Sequence, residues 1–93
     1  MLAILKHNFY TIIRFIGCTD NEYGHLPRDY NGTISVTKSG KMCQSWGANT
    51  PHRPNYRPQN PSYNFCRNPD NDQKGAWCYT TDPNTRYEYC ACT

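Results

Sequence analysis

Residues 77–90, WCYTTDPNTRYEYC, hold two short runs of alternating side chains on either side of a turn signal. Residues 77–80 and 86–90 alternate large aromatic side chains with cysteine or polar ones, which is the period-2 pattern of β-strands. Residues 82–84, Asp-Pro-Asn, supply the turn, and Pro83 suits its second position. The stretch therefore predicts an antiparallel β-hairpin.

The faces of this hairpin allow two interpretations of its aromatic residues. Side chains alternate across a strand, so Trp77 and Tyr79 lie on the opposite face from Cys78. If Cys78 and Cys90 point inward to disulfide partners, then Trp77, Tyr79 and Tyr87 line an outward aromatic trough. In the second interpretation the same rings replace a missing aliphatic core. The alternation alone leaves both open.

Aliphatic side chains cannot hold most of this chain together. Of twelve Leu, Ile, Val and Phe residues, eight fall in residues 1–17, and the 76 residues from Cys18 onward hold four: Leu26, Ile34, Val36 and Phe65. Each contributes about 1.5–3 kcal/mol when buried, far less in total than the ordering entropy of the segment. The same segment contains six Cys, seven Tyr and two Trp. This composition predicts a small, disulfide-rich, loop-dominated fold with short antiparallel β-hairpins, formed extracellularly, as a secreted protein or ectodomain.

Little other regular structure is expected. Residues 33–37 alternate apolar and hydroxyl side chains, which favours a brief half-buried strand. Residues 51–63 contain four prolines and no strand pattern, so we expect an irregular loop there. Trp46 is assigned to the core, and His52 is expected to be packed or hydrogen-bonded rather than catalytic.

Residues 1–17, MLAILKHNFYTIIRFIG, differ in composition from everything after them. Lys6 and Arg14 interrupt the apolar stretch, and a transmembrane helix needs about 20 mostly apolar residues. No basic region precedes the apolar run and no A-x-A-like pattern precedes Cys18, so the stretch makes a poor signal peptide. We assign residues 1–17 to a non-domain segment, either a weak signal or anchor or a fragment boundary, and residues 18–92 to one domain.

The charge pattern argues against nucleic acid and membranes as partners. The formal net charge is +3, and residues 18–93 contribute +1 of it, with eight Lys and Arg against seven Asp and Glu. There is no basic block of the kind that binds phosphate backbones or anionic lipid. We expect neither nucleic-acid binding nor membrane insertion.

Metal, cofactor and catalytic patterns are also weak. Cys90 and Cys92 form the only close cysteine pair, and no second pair or histidine spacing completes a zinc site. Asp70 and Asp72 have the spacing of the first ligands in a calcium-binding loop, but Lys74 occupies a position where such a loop needs another ligand. No nucleophile, base and orienting acid are recognisable together. We expect no metal, no cofactor and no enzymatic activity.

Several cysteine-anchored motifs, in the right order, resemble those of a kringle domain. The similarity covers about residues 18–92 and implies the kringle fold. The motifs are Tyr30-Asn31-Gly32-Thr33, Ser39-Gly40, Cys43-Gln44-Ser45-Trp46, Pro51-His52, Cys66-Arg67-Asn68-Pro69-Asp70, Trp77-Cys78-Tyr79-Thr80-Thr81-Asp82-Pro83 and Arg86-Tyr87-Glu88-Tyr89-Cys90.

The resemblance selects one pairing out of the fifteen that six cysteines allow. It implies the bridges Cys18–Cys92, Cys43–Cys78 and Cys66–Cys90. The sequence departs from the family pattern by a longer segment before Tyr30, a shorter loop after Pro51 and a single residue between the last two cysteines. Both ends of the outer bridge therefore lie in altered context.

The resemblance also implies a ligand site, because kringles of the plasminogen type bind lysine in a shallow aromatic groove with an anionic and a cationic end. The positions that match are Asp70 and Asp72 at the anionic end, Trp77, Tyr79 and Tyr87 along the rings, and Arg86 at the cationic end. Because side chains alternate along a strand, Arg86 is expected on the same face as the cysteines, so its long side chain must reach around to the groove.

These matches imply a non-catalytic extracellular module that binds proteins presenting exposed or C-terminal lysine. Two alternatives stay open. The domain could be an interaction kringle without lysine binding, or a detached piece of a kringle-bearing serine protease or receptor. We expect a monomeric module. Asn31-Gly32-Thr33 is a glycosylation sequon on a predicted turn, which makes Asn31 a candidate for an N-linked glycan.

Overall fold

The computed structural model describes residues 18–92 and builds its regular structure from the predicted hairpin. The strands are β1 (Trp77–Tyr79) and β2 (Tyr87–Tyr89), paired antiparallel with Trp77 opposite Tyr89 and Tyr79 opposite Tyr87. Residues 18–92 contain no helix. The segment 1–17, assigned outside the domain, lies outside the described residues. A search of the described part of the chain finds no helix long and apolar enough to cross a membrane.

The turn between the strands forms where the sequence predicts it. The Thr85 amide donates to the Asp82 carbonyl over 3.0 Å, which puts Pro83 at the second position of the turn. Both strands are shorter than predicted. Thr80 keeps one hydrogen bond across the hairpin, from its amide to the Arg86 carbonyl, but it pairs with Cys43 as an isolated bridge, and its hydroxyl donates to the Thr85 carbonyl.

The three bridges have the pairing that the resemblance implies, Cys18–Cys92, Cys43–Cys78 and Cys66–Cys90. The two inner bridges touch at the centre of the domain, where the Sγ atoms of Cys43 and Cys66 are 3.7 Å apart. Four sulfurs lie together there, but each is bonded to another sulfur, so none is a thiolate ligand. By the chain-entropy model these loops contribute about 3.5–4.5 kcal/mol each.

The core is aromatic, as the scarcity of aliphatic residues requires. Trp46 is buried, in agreement with its assignment, and its Nε1 donates to the Phe65 carbonyl over 2.7 Å. Its indole meets the rings of Trp77 and Tyr79 edge to face, with centroids 5.3 and 5.7 Å apart. Leu26 is the one fully buried Leu, Ile or Val side chain among residues 18–92.

The strand predicted over residues 33–37 is wrong. Only Val36 forms a bridge, to Met42, and its side chain is 42% exposed. A turn ends the alternation here, because the Gly40 amide donates to the Thr37 carbonyl and the Thr37 hydroxyl accepts from the Lys41 amide. The hydroxyl side chain of Thr37 is therefore the buried one.

The proline-rich loop 51–63 is irregular, as predicted, and it is tied down at its start. Gln44 accepts a hydrogen bond from the His52 amide and donates one to the His52 carbonyl. The His52 ring is buried, with Nε2 2.8 Å from the Asp82 carbonyl. His52 is thus packed and hydrogen-bonded, as expected, and it joins this loop to the hairpin turn.

On the cysteine face of β2, Glu88 joins the hairpin to the 37–41 turn. Its carboxylate accepts a hydrogen bond of 2.7 Å from the Ser39 hydroxyl. Burial raises the pKa of Glu88, but the hydrogen bonds of Ser39 and Thr37 and the charge of Lys41 outweigh it and hold that pKa below the usual range. The ionised form of Glu88 therefore stabilises this contact.

Candidate ligand-binding groove

The hairpin and two loops enclose a groove of about 230 Å³ on the aromatic face of the sheet. β1 and β2 supply the rings, residues 70–72 supply carboxylates and residues 55–56 close the remaining side. All six residues that the resemblance selected line this groove, together with two that it did not: Asn55, Tyr56, Asp70, Asp72, Trp77, Tyr79, Arg86 and Tyr87.

Asp70 and Asp72 form the anionic end. They sit in a turn after Pro69 in which Asn71 adopts a positive φ of 54°, a conformation that asparagine tolerates. Asp70 is exposed, and its Oδ1 accepts a hydrogen bond of 3.0 Å from Trp77 Nε1. The indole therefore fixes the first carboxylate beside the rings.

Asp72 has structural contacts as well as a place in the groove. Its Oδ1 accepts from the Lys74 amide over 2.8 Å and its Oδ2 from the Tyr89 hydroxyl over 2.6 Å. The Tyr89 ring stacks on His25 with centroids 4.4 Å apart. Burial, the hydrogen bond to Asp72 and the charge of that carboxylate raise the pKa of Tyr89 well above its usual value, so Tyr89 stays protonated as a donor.

The expectation of an outward trough holds for only one of its three rings. Trp77 and Tyr79 are 4% and 3% exposed, because their faces pack on Trp46 and on each other. Tyr87 is 51% exposed, with its ring 5.7 Å from that of Trp77. Both interpretations of the hairpin are therefore partly right, since Trp77 and Tyr79 are core residues that also present a surface to the groove.

The 55–56 loop contributes an aromatic wall that the sequence did not reveal. Tyr56 is 48% exposed and meets Trp77 edge to face, with centroids 6.4 Å apart. The Tyr79 hydroxyl accepts hydrogen bonds from the amides of Asn55 and Tyr56, over 2.9 and 3.3 Å. The available signal was a large aromatic residue in a proline-rich loop, which does not indicate where the loop packs.

Arg86 lies at the other end of the groove, although the alternation of side chains alone would place it on the cysteine face. Its guanidinium carbon is 5.0 Å from the centre of the Tyr79 ring, a cation–π distance. Its Nη2 donates to the Arg53 carbonyl over 2.9 Å. The side chain is thus tethered at the rim, in a position to meet an anion beyond the rings.

The groove therefore has two carboxylates at one end, rings along its length and a guanidinium at the other. This arrangement is complementary to a bipolar organic ligand with a short apolar body. Together with the disulfide-bonded, loop-rich fold, it defines a small binding module.

Residues 22–93 match the family model described as the kringle domain. The match covers well over half of the chain, and the chain belongs to the kringle family. The fold class predicted from the sequence is confirmed. Kringle domains are non-catalytic modules that mediate protein–protein interactions, and those with disulfides are typically extracellular.

Proposed function

We propose that this domain is a non-catalytic extracellular module that binds exposed or C-terminal lysine on partner proteins. The observation that carries the proposal is the convergence of all six selected residues on one groove with oppositely charged ends. The same proposal includes three further points: the domain spans residues 18–92, it is secreted, and it is monomeric. The partner proteins would be those that present lysine side chains or a C-terminal lysine.

The ammonium group of lysine would lie between Asp70 and Asp72. An ammonium ion is a compact charge with three donors, so it can satisfy two carboxylates together. Because Tyr89 and the Lys74 amide already hold Asp72 in place, this part of the site is formed before the ligand arrives. Such preorganisation reduces the ordering cost of binding.

The four methylenes of the lysine side chain would lie along the rings. Full burial would contribute up to about 3 kcal/mol at about 0.8 kcal/mol per methylene. Tyr87 and Tyr56 present the most exposed aromatic surface, whereas Trp77 and Tyr79 form the floor between them. The cation–π attraction of the ammonium adds roughly 1 kcal/mol at an exposed site.

Arg86 would bind the ligand carboxylate through a charge-assisted hydrogen bond. Since association entropy offsets several kcal/mol of these terms, the expected dissociation constant lies on the order of micromolar to millimolar. A C-terminal lysine should bind more tightly than a lysine whose carboxyl group is blocked as an amide.

The test is a tryptophan fluorescence titration of the oxidised chain with three ligands. One is 6-aminohexanoic acid, and the others are hexylamine and hexanoic acid, which each lack one charged end. We expect a saturable fluorescence change with each ligand. 6-Aminohexanoic acid should saturate at the lowest concentration, hexylamine at a higher one and hexanoic acid at the highest. No saturable response to the first ligand in a correctly disulfide-bonded sample would contradict lysine binding and favour an interaction kringle that uses another face.

A further inference from the structure

A second and larger groove, of about 850 Å³, shares no lining residue with the lysine groove. It lies between the segment around residues 28–31, the loop 57–63 and residues 65–69. Besides the buried Trp46, its distinguishing side chains are three arginines and three aromatic rings that are at least partly exposed: Arg28, Arg57, Arg67, Tyr30, Tyr63 and Phe65. We name it the arginine groove.

The rings give this groove an apolar surface that ligands can reach. Tyr63 is 51% exposed and stacks on Phe65, with centroids 5.2 Å apart and planes at 17°. Arg67 lies between two rings, with its guanidinium carbon 5.5 Å from the centre of Phe65 and 6.0 Å from that of Tyr30. The stacking fixes the Arg67 charge beside the apolar surface.

The hydrogen bonds of the three guanidinium groups use only neutral acceptors within residues 18–92. Arg67 donates to two main-chain carbonyls, Arg57 to a carbonyl and to Asn49, and Arg28 to Asn71. Each guanidinium has five donors, so most of them remain free for a ligand. With Asp29 as the opposing charge, the lining carries a net charge of +2 from three arginines and one aspartate.

We propose that the arginine groove binds an acidic peptide segment of a partner protein, one in which carboxylate side chains flank an apolar or aromatic residue. Guanidinium groups recognise carboxylates through two parallel hydrogen bonds, and the charge complements an acidic segment. The exposed rings between the arginines favour a peptide over a sulfated polysaccharide, because a polysaccharide offers little apolar surface to cover them.

The two grooves are neighbours of opposite charge. Tyr56 lines the lysine groove, and the next residue, Arg57, lines the arginine groove. In the same way, Asp70 lines the lysine groove and its neighbour Pro69 lines the arginine groove. One partner segment could therefore place a lysine in the first groove and its acidic residues in the second. Only this joint occupancy depends on the proposed function, since the arginine groove binds by its own contacts.

The test uses the full chain both as secreted and after removal of N-linked glycan, because Asn31 also lines the arginine groove, and the peptide should bind both forms. The probe is the lysine-free peptide acetyl-Gly-Glu-Phe-Glu-Gly-amide, titrated by amide NMR in saturating 6-aminohexanoic acid. The expected result is saturable shifts of amides around the arginine groove. Arg57→Gln should weaken binding about fivefold, and Asp29→Asn should tighten it about twofold. Lys38→Gln, which removes an exposed cation outside both grooves, should leave it unchanged.

The gain on Asp29→Asn matters because a damaged fold cannot produce it. The proposal is overturned if no saturable shifts occur, or if the analogue with glutamines in place of glutamates binds equally well. It is also overturned if 6-aminohexanoic acid displaces the peptide, or if a sulfated oligosaccharide binds with the same arginine dependence and the peptide does not. Titration with 6-aminohexanoic acid alone tests lysine binding separately, so the two proposals can fail independently.

Discussion

The substitution Asp70→Asn tests the anionic end of the lysine groove with little disturbance of the fold. Asp70 is exposed, and its Oδ1 accepts from Trp77 Nε1, an interaction that the amide oxygen of asparagine can keep. Asp72 is a poorer choice, because both of its oxygens already accept hydrogen bonds and asparagine can replace only one of them. Asp70→Asn thus removes one charge while conserving shape and contact.

The size of the effect follows from Coulomb's law. Two unit charges about 4 Å apart interact by about 1 kcal/mol in water and about 4 kcal/mol at an effective dielectric constant of 20. Because Asp70 is exposed, the interaction lies near the lower value, at about 1–2 kcal/mol. We therefore expect 6-aminohexanoic acid to bind roughly 5- to 30-fold more weakly.

The assay is the tryptophan fluorescence titration at low ionic strength, where screening is small. Asp29→Asn is the matched control, since it removes the same exposed charge outside this groove and should leave the affinity for 6-aminohexanoic acid unchanged. Thermal unfolding of both variants should stay close to that of the natural chain, because both substitutions are on the surface. A loss of affinity below twofold on Asp70→Asn would refute the assignment of the anionic end.

Three further predictions concern stability and modification. Gly75→Ala should lower the free energy of unfolding in urea by at least about 1–3 kcal/mol, because Gly75 has a φ of 117° and a Cβ would overlap the Leu26 carbonyl; an unchanged value would contradict this geometry. Glu88→Gln should destabilise the domain by less than about 1 kcal/mol at neutral pH, and the difference should shrink to zero as the pH falls below the lowered pKa of Glu88. A difference that grew on acidification would contradict the Ser39 contact. Chain secreted by eukaryotic cells should lose mass on enzymatic deglycosylation, and Asn31→Gln should not.

The sequence predicted those parts of the fold that depend on local chemistry. The hairpin follows from alternation around Pro83, and the aromatic core follows from the shortage of aliphatic residues. The strand predicted over residues 33–37 does not form, because the Thr37 hydroxyl accepts from the Lys41 amide and Gly40 closes a turn. That competition between side chain and main chain cannot be read from alternation alone.

In the groove, too, the sequence predicts some residues, whereas others depend on contacts between distant segments. The carboxylates and rings could be selected because they match positions in cysteine-anchored motifs that resemble those of kringle domains. Tyr56 could not, because its place depends on hydrogen bonds from the 55–56 amides to the hydroxyl of Tyr79, a residue far away along the chain. Strand alternation alone places Arg86 on the cysteine face, and its charge comes to the groove because its long side chain bends over the Tyr79 ring. These contacts arise from packing between segments.

The double role of the rings couples binding to stability in this domain. Trp77 is the first residue of β1, packs on Trp46 and also holds Asp70 through its indole nitrogen. With so few aliphatic side chains available, the core must use rings that the groove also needs. A substitution of Trp77 therefore cannot separate the two roles, whereas Tyr87, half exposed and at the groove wall, can. Tyr87→Ser should weaken ligand binding with little loss of stability, and a large loss of stability instead would mean that the outer wall too belongs to the core.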